Sequence, residues 1–137
     1  MIWGIQWDET LKWLIDIGEK TYAEIASDST SWGNYINNSF TYYTNTSKST
    51  ATKASNSNII IPSGAYEGTN ANNIFDLAGN MSEWTLESYI LKANYGRTYR
   101  SGFFSGNGYQ VTASYRYYHT PNFIDNDIGL RCSLFIK

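Results

Sequence analysis

The side chains that most often carry out chemistry in proteins are scarce in this sequence. There is one cysteine, Cys132, and one histidine, His119, among 137 residues. A lone cysteine excludes an internal disulfide, a Cys-x-x-Cys redox pair and a cysteine zinc site. A lone histidine excludes multi-histidine metal sites and disfavours a histidine-based catalytic triad. The glycines of the stretch 106–108 come with neither a lysine nor a helix pattern, so they indicate a turn rather than a phosphate-binding loop.

Aromatic and amide side chains are abundant instead. The chain has 12 Tyr, 6 Phe and 5 Trp, and many of the tyrosines fall in the interval 95–126 beside Asn, Ser and Gly. This mixture is typical of binding surfaces, because tyrosine gives a large contact at low entropic cost while small polar residues adapt their hydrogen bonds. It also suits carbohydrates, whose faces stack on aromatic rings. The alternative is that many of these tyrosines form the core of a small β-rich domain.

The charge of the chain excludes several partners. Ten Lys and Arg stand against twelve Asp and Glu, for a net charge of −2. Without a basic field to neutralise phosphates, we expect no binding to nucleic acid. The apolar runs are shorter than the roughly 20 residues that span a bilayer, and the N-terminus lacks the basic region of a signal peptide. We therefore expect no membrane insertion.

One helix is predicted near the start of the chain. Over residues 7–17 apolar side chains recur every third or fourth position, the spacing of an amphipathic helix. Asp8 suits the positive N-terminal end, and Gly18 is a suitable stop. We expect Trp7 and Trp13 to serve in core and flank packing rather than as a ligand platform.

The remainder of the chain predicts short strands and long loops. The segment 27–58 is rich in Ser, Thr and Asn, but large rings interrupt it, so we expect an irregular loop packed on the domain. Short strands are predicted over 59–61, 97–104, 110–118 and 129–136. Within 110–118, alternate residues should point to opposite faces. The pattern is α+β with more loop than an average domain.

The most specific pattern is NIFDLAGNMSEWT at residues 73–85. It resembles the N-x-x-D-x-x-G-N-V-W-E-W-T signature of the formylglycine-generating-enzyme family, also called the sulfatase-modifying-factor family. RSGFF at 100–104 follows where the family has R-G-G-S-W, and ASYR at 113–116 with IGLRC at 128–132 match its A-x-R and I-G-F-R segments. QWD at 6–8 also resembles a family segment. The resemblance implies an α+β, C-type-lectin-like fold with few short strands, one or two helices and much ordered loop.

The sequence departs from the family pattern at three points. Ser82 stands where the family has Trp, and Ser101 replaces a Gly. The family domain also has a further stretch before the segment 6–8. Residues 1–137 are therefore expected to form a single, reduced or truncated domain, as part of a larger polypeptide.

The family's reactions depend on metals for which this sequence lacks ligands. Formylglycine generation uses two copper-binding cysteines between the R-G-G-S-W and A-x-R segments, and the matching interval 105–112 contains no sulfur. Copper(I) prefers thiolates, so other side chains are poor substitutes. The family's iron-dependent branch needs several histidines. We therefore expect no copper, no iron and no catalysis, with Cys132 packed in the core of the last strand.

The resemblance leaves calcium open as a cofactor. Matching positions imply a Ca²⁺ site made by the Asp76 and Glu83 side chains with the Gly79 and Met81 carbonyls. Oxygen ligands on a compact turn are what calcium requires. The alternative is that Asp76 caps the turn and Glu83 pairs with a buried arginine such as Arg131. In either case we expect Trp84 to be buried.

The resemblance and the tyrosine-rich interval together predict a non-catalytic, ligand-binding domain, lectin-like or receptor-binding. Its partner would be a protein or glycan on a cell surface, and the domain would be displayed extracellularly, on a bacterial surface or a phage virion. The frame is predicted to consist of Arg100, Gly102, Arg116, Gly129 and Arg131. The residues predicted to contact the ligand are Asn107, Tyr109, Tyr118, His119, Asn122, Phe123 and Asn126.

Three further interpretations stay open at this stage. One is an enzyme of the same family with non-standard chemistry. Another is a structural component of a surface or virion. The family also includes the variable proteins of diversity-generating retroelements, whose exposed residues before the I-G-F-R strand are diversified.

Overall fold

The computed structural model describes residues 1–89 and 96–132. Its helices are α1 (Gly4–Asp16) and α2 (Tyr22–Ala26), with short 3₁₀ turns at Thr30–Trp32 and Glu67–Thr69. Its strands are β1 (Phe40–Tyr43), β2 (Thr50–Lys53), β3 (Ser82–Tyr89), β4 (Gly96–Arg100), β5 (Arg116–His119) and β6 (Ile128–Leu130). The strands are short and long loops join them.

A four-stranded sheet forms the centre of the fold. Its strand order is β5-β4-β3-β6, with β3 antiparallel to β4, β4 antiparallel to β5, and β3 parallel to β6. Strands β1 and β2 form a separate antiparallel hairpin. The sheet pairs the 73–85 signature directly with the C-terminal IGL segment, because Glu83 lies opposite Gly129.

Helix α1 packs its apolar stripe into the main core. Trp7 and Leu14 are fully buried, and the Trp7 indole N–H donates to the Ala113 carbonyl at 3.1 Å. The helix begins at Gly4, earlier than predicted, so Asp8 lies beyond the first turn. Asp8 pairs with arginines of the sheet instead of capping the dipole. Trp13 is 41% exposed on the outer side.

Helix α2 was missed because it is only five residues long. The helix begins with a capping box, which can be recognised in the sequence. The Thr21 hydroxyl accepts from the Glu24 N–H, and the Glu24 carboxylate accepts from the Thr21 N–H at 2.8 Å. Gly18, with φ of +74°, ends the turn after α1 as predicted.

The predicted loop 27–58 contains a 3₁₀ turn and the β1–β2 hairpin. Its large rings hold it on the domain, since Trp32, Tyr35 and Phe40 are all buried. Lys53 is also buried, and its ammonium group donates to the Tyr35 and Asn38 carbonyls at 2.7 and 2.8 Å.

The strand predicted over 110–118 was largely wrong. Only its end forms β5, while Val111, Thr112 and Ala113 are buried in succession. The backbone turns here, with the Tyr115 N–H donating to the Thr112 carbonyl, so side chains cannot alternate between two faces. The stretch 59–61 is extended but belongs to no strand, and residues 133–136 lie outside the described ranges.

Strand β4 ends earlier than predicted because Ser101 has φ of +70°. This left-handed conformation explains the glycine of the family pattern, since a side chain is strained there. The Ser101 hydroxyl compensates: it donates to the Leu77 carbonyl at 2.9 Å and accepts from the Gly79 N–H at 3.2 Å.

Substitutions at Ser101 should separate strain from hydrogen bonding. Ser101→Ala keeps the strain and loses both bonds, so it should lower the free energy of unfolding by about 2 kcal/mol. Ser101→Gly loses the same bonds but relieves the strain, and should be about 1 kcal/mol more stable than the alanine variant. Urea unfolding of the three proteins measures both differences. An alanine variant as stable as the glycine variant would contradict this explanation.

Two of the predicted frame residues, Gly129 and Arg116, differ from expectation. Gly102 agrees with it, because a Cβ there would overlap the Val111 carbonyl. At position 129 the structure does not require a glycine, since a Cβ there would meet only the Met81 side chain, at 3.5 Å, and the φ of Gly129 is not in the left-handed region. Arg116 is 47% exposed at its side chain and is therefore a surface residue of the frame.

Candidate functional site

Residues 73–81, which precede β3, form the signature loop, and its contacts centre on Asn80. Its side-chain oxygen accepts from the Ile61 N–H at 3.2 Å and from the Asn34 amide at 3.0 Å, and its own amide donates to the Ile61 carbonyl at 3.1 Å. Its backbone N–H donates to the Asn34 carbonyl, and its carbonyl accepts from the Phe104 N–H. One buried asparagine therefore ties together three loops that are distant in sequence.

Asp76 connects the same loop to a second turn. One carboxylate oxygen accepts from the Ser63 hydroxyl at 2.7 Å and from the Gly64 N–H at 2.9 Å. The other oxygen, Oδ1, is buried and has no hydrogen-bond partner in the described part of the protein. Asp76 itself is 5% exposed and has φ of +58°. The carboxylate thus caps a turn, as in the alternative to calcium, but the turn is the one at Ser63 in another loop and not that of the signature itself.

Glu83 forms a two-point ion pair with Arg131. The guanidinium donates to the two carboxylate oxygens at 2.6 and 2.7 Å, and also to the Phe75 and Asp76 carbonyls. Burial raises the pKa of Glu83, while Arg131 acts in the opposite direction. The Arg131 cation thus joins β6 to the signature loop.

Asp76, Met81 and Glu83 all line one cleft of about 300 Å³ beside Arg131. Gly79 is not among its lining residues, and its N–H is bonded to Ser101. The orphaned Asp76 oxygen could serve a cation, but both Glu83 oxygens already accept from a guanidinium. The residues present therefore fit an arginine cation better than calcium.

Chelation distinguishes these two interpretations. If Arg131 supplies the positive charge, the melting temperature should be the same with and without a calcium chelator. A cation bound only to the folded protein would stabilise it by mass action, so chelator would then lower the melting temperature. In that case Glu83→Gln should remove the difference. A chelator effect that Glu83→Gln abolishes would restore the calcium site.

A second ion-pair network lies between α1 and the sheet. Arg100 is 2% exposed and pairs with Asp8, and its second contact is to Glu87 at 3.9 Å. Arg116 pairs with the same two carboxylates at 2.7 and 3.5 Å from the surface side. Burial lowers the pKa of Arg100, and the neighbouring charge of Asp8 opposes this shift. The network fixes the QWD segment to the sheet.

The seven residues predicted to contact a ligand fall into two groups. Asn107 and Tyr109 lie in a turn whose Gly108 bonds to Ser29 and Asn37. The other five lie on β5 and the loop after it. Tyr109 is 55% exposed, whereas Tyr118, His119 and Phe123 are half-buried. Tyr95, in the same predicted interval, lies outside the described residues.

Ring stacking shapes the second group. Tyr118 stacks on Tyr89 with ring centroids 3.7 Å apart, and His119 stacks on Phe123 at 3.6 Å. Tyr118 and Tyr89 lie over Gly96 of β4, where an added Cβ would meet both side chains at 3.6 Å. Asn122 and Asn126 are exposed.

A row of apolar side chains crosses the outward face of the sheet, which sequence reasoning missed. The backbone register sets Leu130 of β6 beside Trp84 of β3, Trp84 beside Tyr99 of β4, and Tyr99 beside Tyr117 of β5. Ring centroids are 5.3 Å apart for Trp84 and Tyr99, and 5.7 Å apart for Tyr99 and Tyr117. We call these four residues the aromatic row.

The aromatic row is accessible to solvent. Leu130 is 61% exposed and Tyr117 46% exposed. Trp84 is half-buried, not buried as predicted, and it also lines a groove of about 250 Å³ with Met1, Arg97 and Pro121. Tyr115 extends the row, stacked parallel to Tyr117 at 6.2 Å.

Two carboxylates precede β6 and act on the ionisation of Tyr99. Asp125 and Asp127 precede β6, and the Asp127 carbonyl accepts from the Ser82 N–H at the start of β3. Burial, followed by repulsion from the ionisable hydroxyls of Tyr115 and Tyr117 and from the charges of both aspartates, raises the pKa of Tyr99 to about 12. Burial and the charge of Asp125 raise the pKa of Asp127.

Cys132 and His119 are the two residues singled out above for the reactivity of their side chains. Cys132 is exposed, which corrects the prediction of a core thiol: β6 ends at Leu130, so the cysteine follows the strand instead of lying within it. The His119 ring accepts from the Thr120 N–H at 3.0 Å. Over residues 1–89 and 96–132, no three His, Cys, Asp or Glu side chains converge to hold a metal.

This irregular mixed sheet with two helices is a C-type-lectin-like fold. The family model described as the sulfatase-modifying factor enzyme 1-like domain matches residues 17–134. The chain belongs to this family, that of the formylglycine-generating enzymes, as the motifs at 73–85, 100–104 and 128–132 indicated.

Among solved structures, the chain is similar to the one titled "Crystal Structure of CarF". The two share 23% sequence identity with a TM-score of 0.44, over 64% of this chain and 30% of that chain. This chain therefore matches less than a third of that protein's length. The search of curated proteins gave no match.

Proposed function

We propose that this chain is a non-catalytic, ligand-binding domain that contacts its ligand through the outward face of the four-stranded sheet. The aromatic row is the observation that supports this proposal. Four large side chains lie side by side on that face, and two of them are about half exposed or more. Contiguous exposed apolar surface on a small domain is characteristic of interaction sites.

The neighbouring residues extend this surface in the manner of a binding site. Aromatic rings provide rigid contact area, while Asp125 and Asn126 in the loop before β6 are exposed and able to form hydrogen bonds. Both a protein and a glycan on a cell surface have groups that match this chemistry. Of the predicted contacts, His119 lies on the same face of β5 as Tyr117 and stacks on Phe123, so these two would enlarge the same surface, whereas Tyr118 points to the opposite face of the sheet.

The positions of the signature residues support a role without catalysis. Asp76, Asn80, Glu83, Arg100 and Arg131 are all engaged in hydrogen bonds or ion pairs that hold loops and strands together. The interval 105–112 has no cysteine to bind copper. The family's frame is thus kept by residues that are not free to act on a substrate.

Display outside the cell, on a bacterial surface or a phage virion, belongs to the same proposal. No α-helix in the described ranges has the length and apolar character that crossing a bilayer requires. If the domain is one of the variable proteins of a diversity-generating retroelement, the gene should lie near an imperfect copy of the segment that codes for residues 95–132, and the copy should differ mainly at adenines.

A binding screen tests the proposed function. The wild-type domain and Tyr117→Ala should be applied to arrays of cell-surface glycans and surface proteins. We expect Tyr117→Ala to weaken binding by about 1–3 kcal/mol, as expected for an aromatic anchor, with little change in melting temperature because the ring is partly exposed.

Tyr22→Ala is the matched control, since Tyr22 is 70% exposed on α2, away from the sheet. It should bind like the wild type. A ligand held equally well by Tyr117→Ala would place the binding surface elsewhere. Absence of any ligand on either array would contradict the proposal as a whole. The double variant Tyr118→Ala with Phe123→Ala tests the contacts that the sequence predicts in the same screen.

A further inference from the structure

An apolar groove opens on the outward face of the sheet, at the Trp84 member of the aromatic row. It measures about 250 Å³, and its apolar walls are formed by Met1, Trp84, Leu86 and Pro121. The start of the chain is fixed at this place, because the Leu86 N–H donates to the Ile2 carbonyl at 2.9 Å. Pockets that hold a whole small molecule measure roughly 300–1,000 Å³, so this groove suits one side chain of a larger ligand.

Arg97 contributes a positive charge to the same groove. It is one of the lining residues, and its side chain is exposed. On β4 it lies two residues before Tyr99, so both side chains point to the outward face. One of its N–H groups donates to the hydroxyl of Ser88, its register partner on β3. An arginine has five N–H donors, so the guanidinium keeps donors for a ligand.

Arg97 has no carboxylate partner among the side chains of this chain. All twelve Asp and Glu residues lie within 1–89 and 96–132, the ranges that the structure describes. The ion pairs formed there use Lys12, Arg100, Arg116 and Arg131, and none of them includes Arg97. The charge of Arg97 is therefore available to an anionic group of a ligand.

The side-chain polar groups that the groove offers to a ligand are donors. They are the indole N–H of Trp84 and the guanidinium of Arg97. The Thr85 hydroxyl, which also lines the groove, is already engaged, since it donates to the Thr98 carbonyl at 2.9 Å and accepts from the Glu87 N–H at 3.3 Å. A carboxylate only accepts, whereas a sugar hydroxyl also donates and would find no side-chain acceptor here. The groove therefore favours an apolar group next to a carboxylate over a glycan.

We propose that this groove binds a segment of a partner protein in which a large aliphatic side chain stands next to a glutamate or an aspartate. The aliphatic side chain lies against Trp84 and Pro121, and the carboxylate pairs with the Arg97 guanidinium, which can bind both of its oxygens. This inference rests on the proposed binding function and specifies its ligand as an acidic, apolar peptide segment.

Selection from a displayed library of random peptides tests the inference with the intact domain. We expect the enriched peptides to carry an acidic residue next to a leucine, isoleucine or methionine. The best of them should then be synthesised with capped ends in two forms, one with its acidic residue and one with the corresponding amide. The acidic form should bind at least tenfold more tightly, and it should shift the NMR signal of the Trp84 indole N–H.

Arg97→Gln should remove this preference, so that the acidic and amide forms bind with equal affinity. Because Arg97 is exposed, its variant should keep the circular dichroism spectrum of the wild type. Lys12→Gln is the matched control: it removes the same charge from α1, where the Lys12 side chain is 65% exposed. It should keep the tenfold preference.

Three results would each overturn the inference: a selection that enriches no acidic peptides, equal binding of the two forms to the wild type, or an unchanged preference in Arg97→Gln. If another ligand, such as an acidic glycan, then bound in a manner that depended on Tyr117, the proposed binding function would stand and only its ligand class would be wrong. If no ligand of any class depended on either Arg97 or Tyr117, both proposals would fail.

Discussion

Replacing Asn80 by alanine should destabilise the domain by about 3–5 kcal/mol, since each buried partner left without its hydrogen bond costs about 1–3 kcal/mol. The Asn80 side chain forms three such bonds, two to the backbone of Ile61 and one to Asn34. Alanine would also have to adopt φ of +62°, which asparagine tolerates better. Urea unfolding followed by circular dichroism measures the loss.

Asn58→Ala is the matched control, because Asn58 is exposed in the loop before Ile61. It should change the free energy of unfolding by less than about 0.5 kcal/mol. An Asn80→Ala variant as stable as this control would show that the signature asparagine does not hold the loops together. Its place in the family pattern would then need a functional explanation.

Arg100→Ala should cost about 3–5 kcal/mol, because removing one partner of a buried ion pair leaves charge without compensation. Arg100 is 2% exposed and connects β4 with Asp8 of α1 and with Glu87 of β3. Its loss would release the helix from the sheet as well as leave a cavity. Thermal and urea unfolding should both report the change.

Arg116→Ala provides a comparison with the same two carboxylates. Its side chain is 47% exposed, and an exposed ion pair contributes about 0–1 kcal/mol. The two variants therefore differ in burial rather than in partner. Equal losses from both would mean that burial does not determine the strength of this network.

The sequence predicted the fold because its signature residues are frame residues. The family motif places Asn80, Glu83 and Arg131 where each bonds to a particular distant partner, so their spacing reports tertiary structure. The end of the first helical segment at Gly18 was also predictable, because the positive φ at that position favours glycine. The buried rings of segment 27–58 correctly indicated a packed loop.

Errors arose where local pattern and tertiary packing disagree. The stretch 110–118 has the composition of a strand, but three successive residues from Val111 are buried in turns. A serine at position 101 does not by itself indicate that β4 ends there, and only the glycine that the family pattern has at this position indicated it. Helix α2 is too short to show a period, although its Thr21 and Glu24 capping box was present.

The aromatic row could not be derived from one sequence. Its members come from four strands, and they meet only because of the register of β6, β3, β4 and β5. A shift of one residue in any strand would turn its side chain to the other face. Sequence reasoning therefore selected Tyr109 and Tyr118 from the interval 95–126, while the outward face of the sheet presents Tyr99 and Tyr117 with Trp84 and Leu130.

The central claim is that this family domain keeps the frame and works without the family's catalysis. Aldehyde formation on a peptide that carries a sulfatase motif tests it most directly, with copper supplied and with folding of the domain verified by circular dichroism. We expect no product above a control without protein, because the interval 105–112 lacks the copper-binding cysteines. Turnover above that control would contradict the claim.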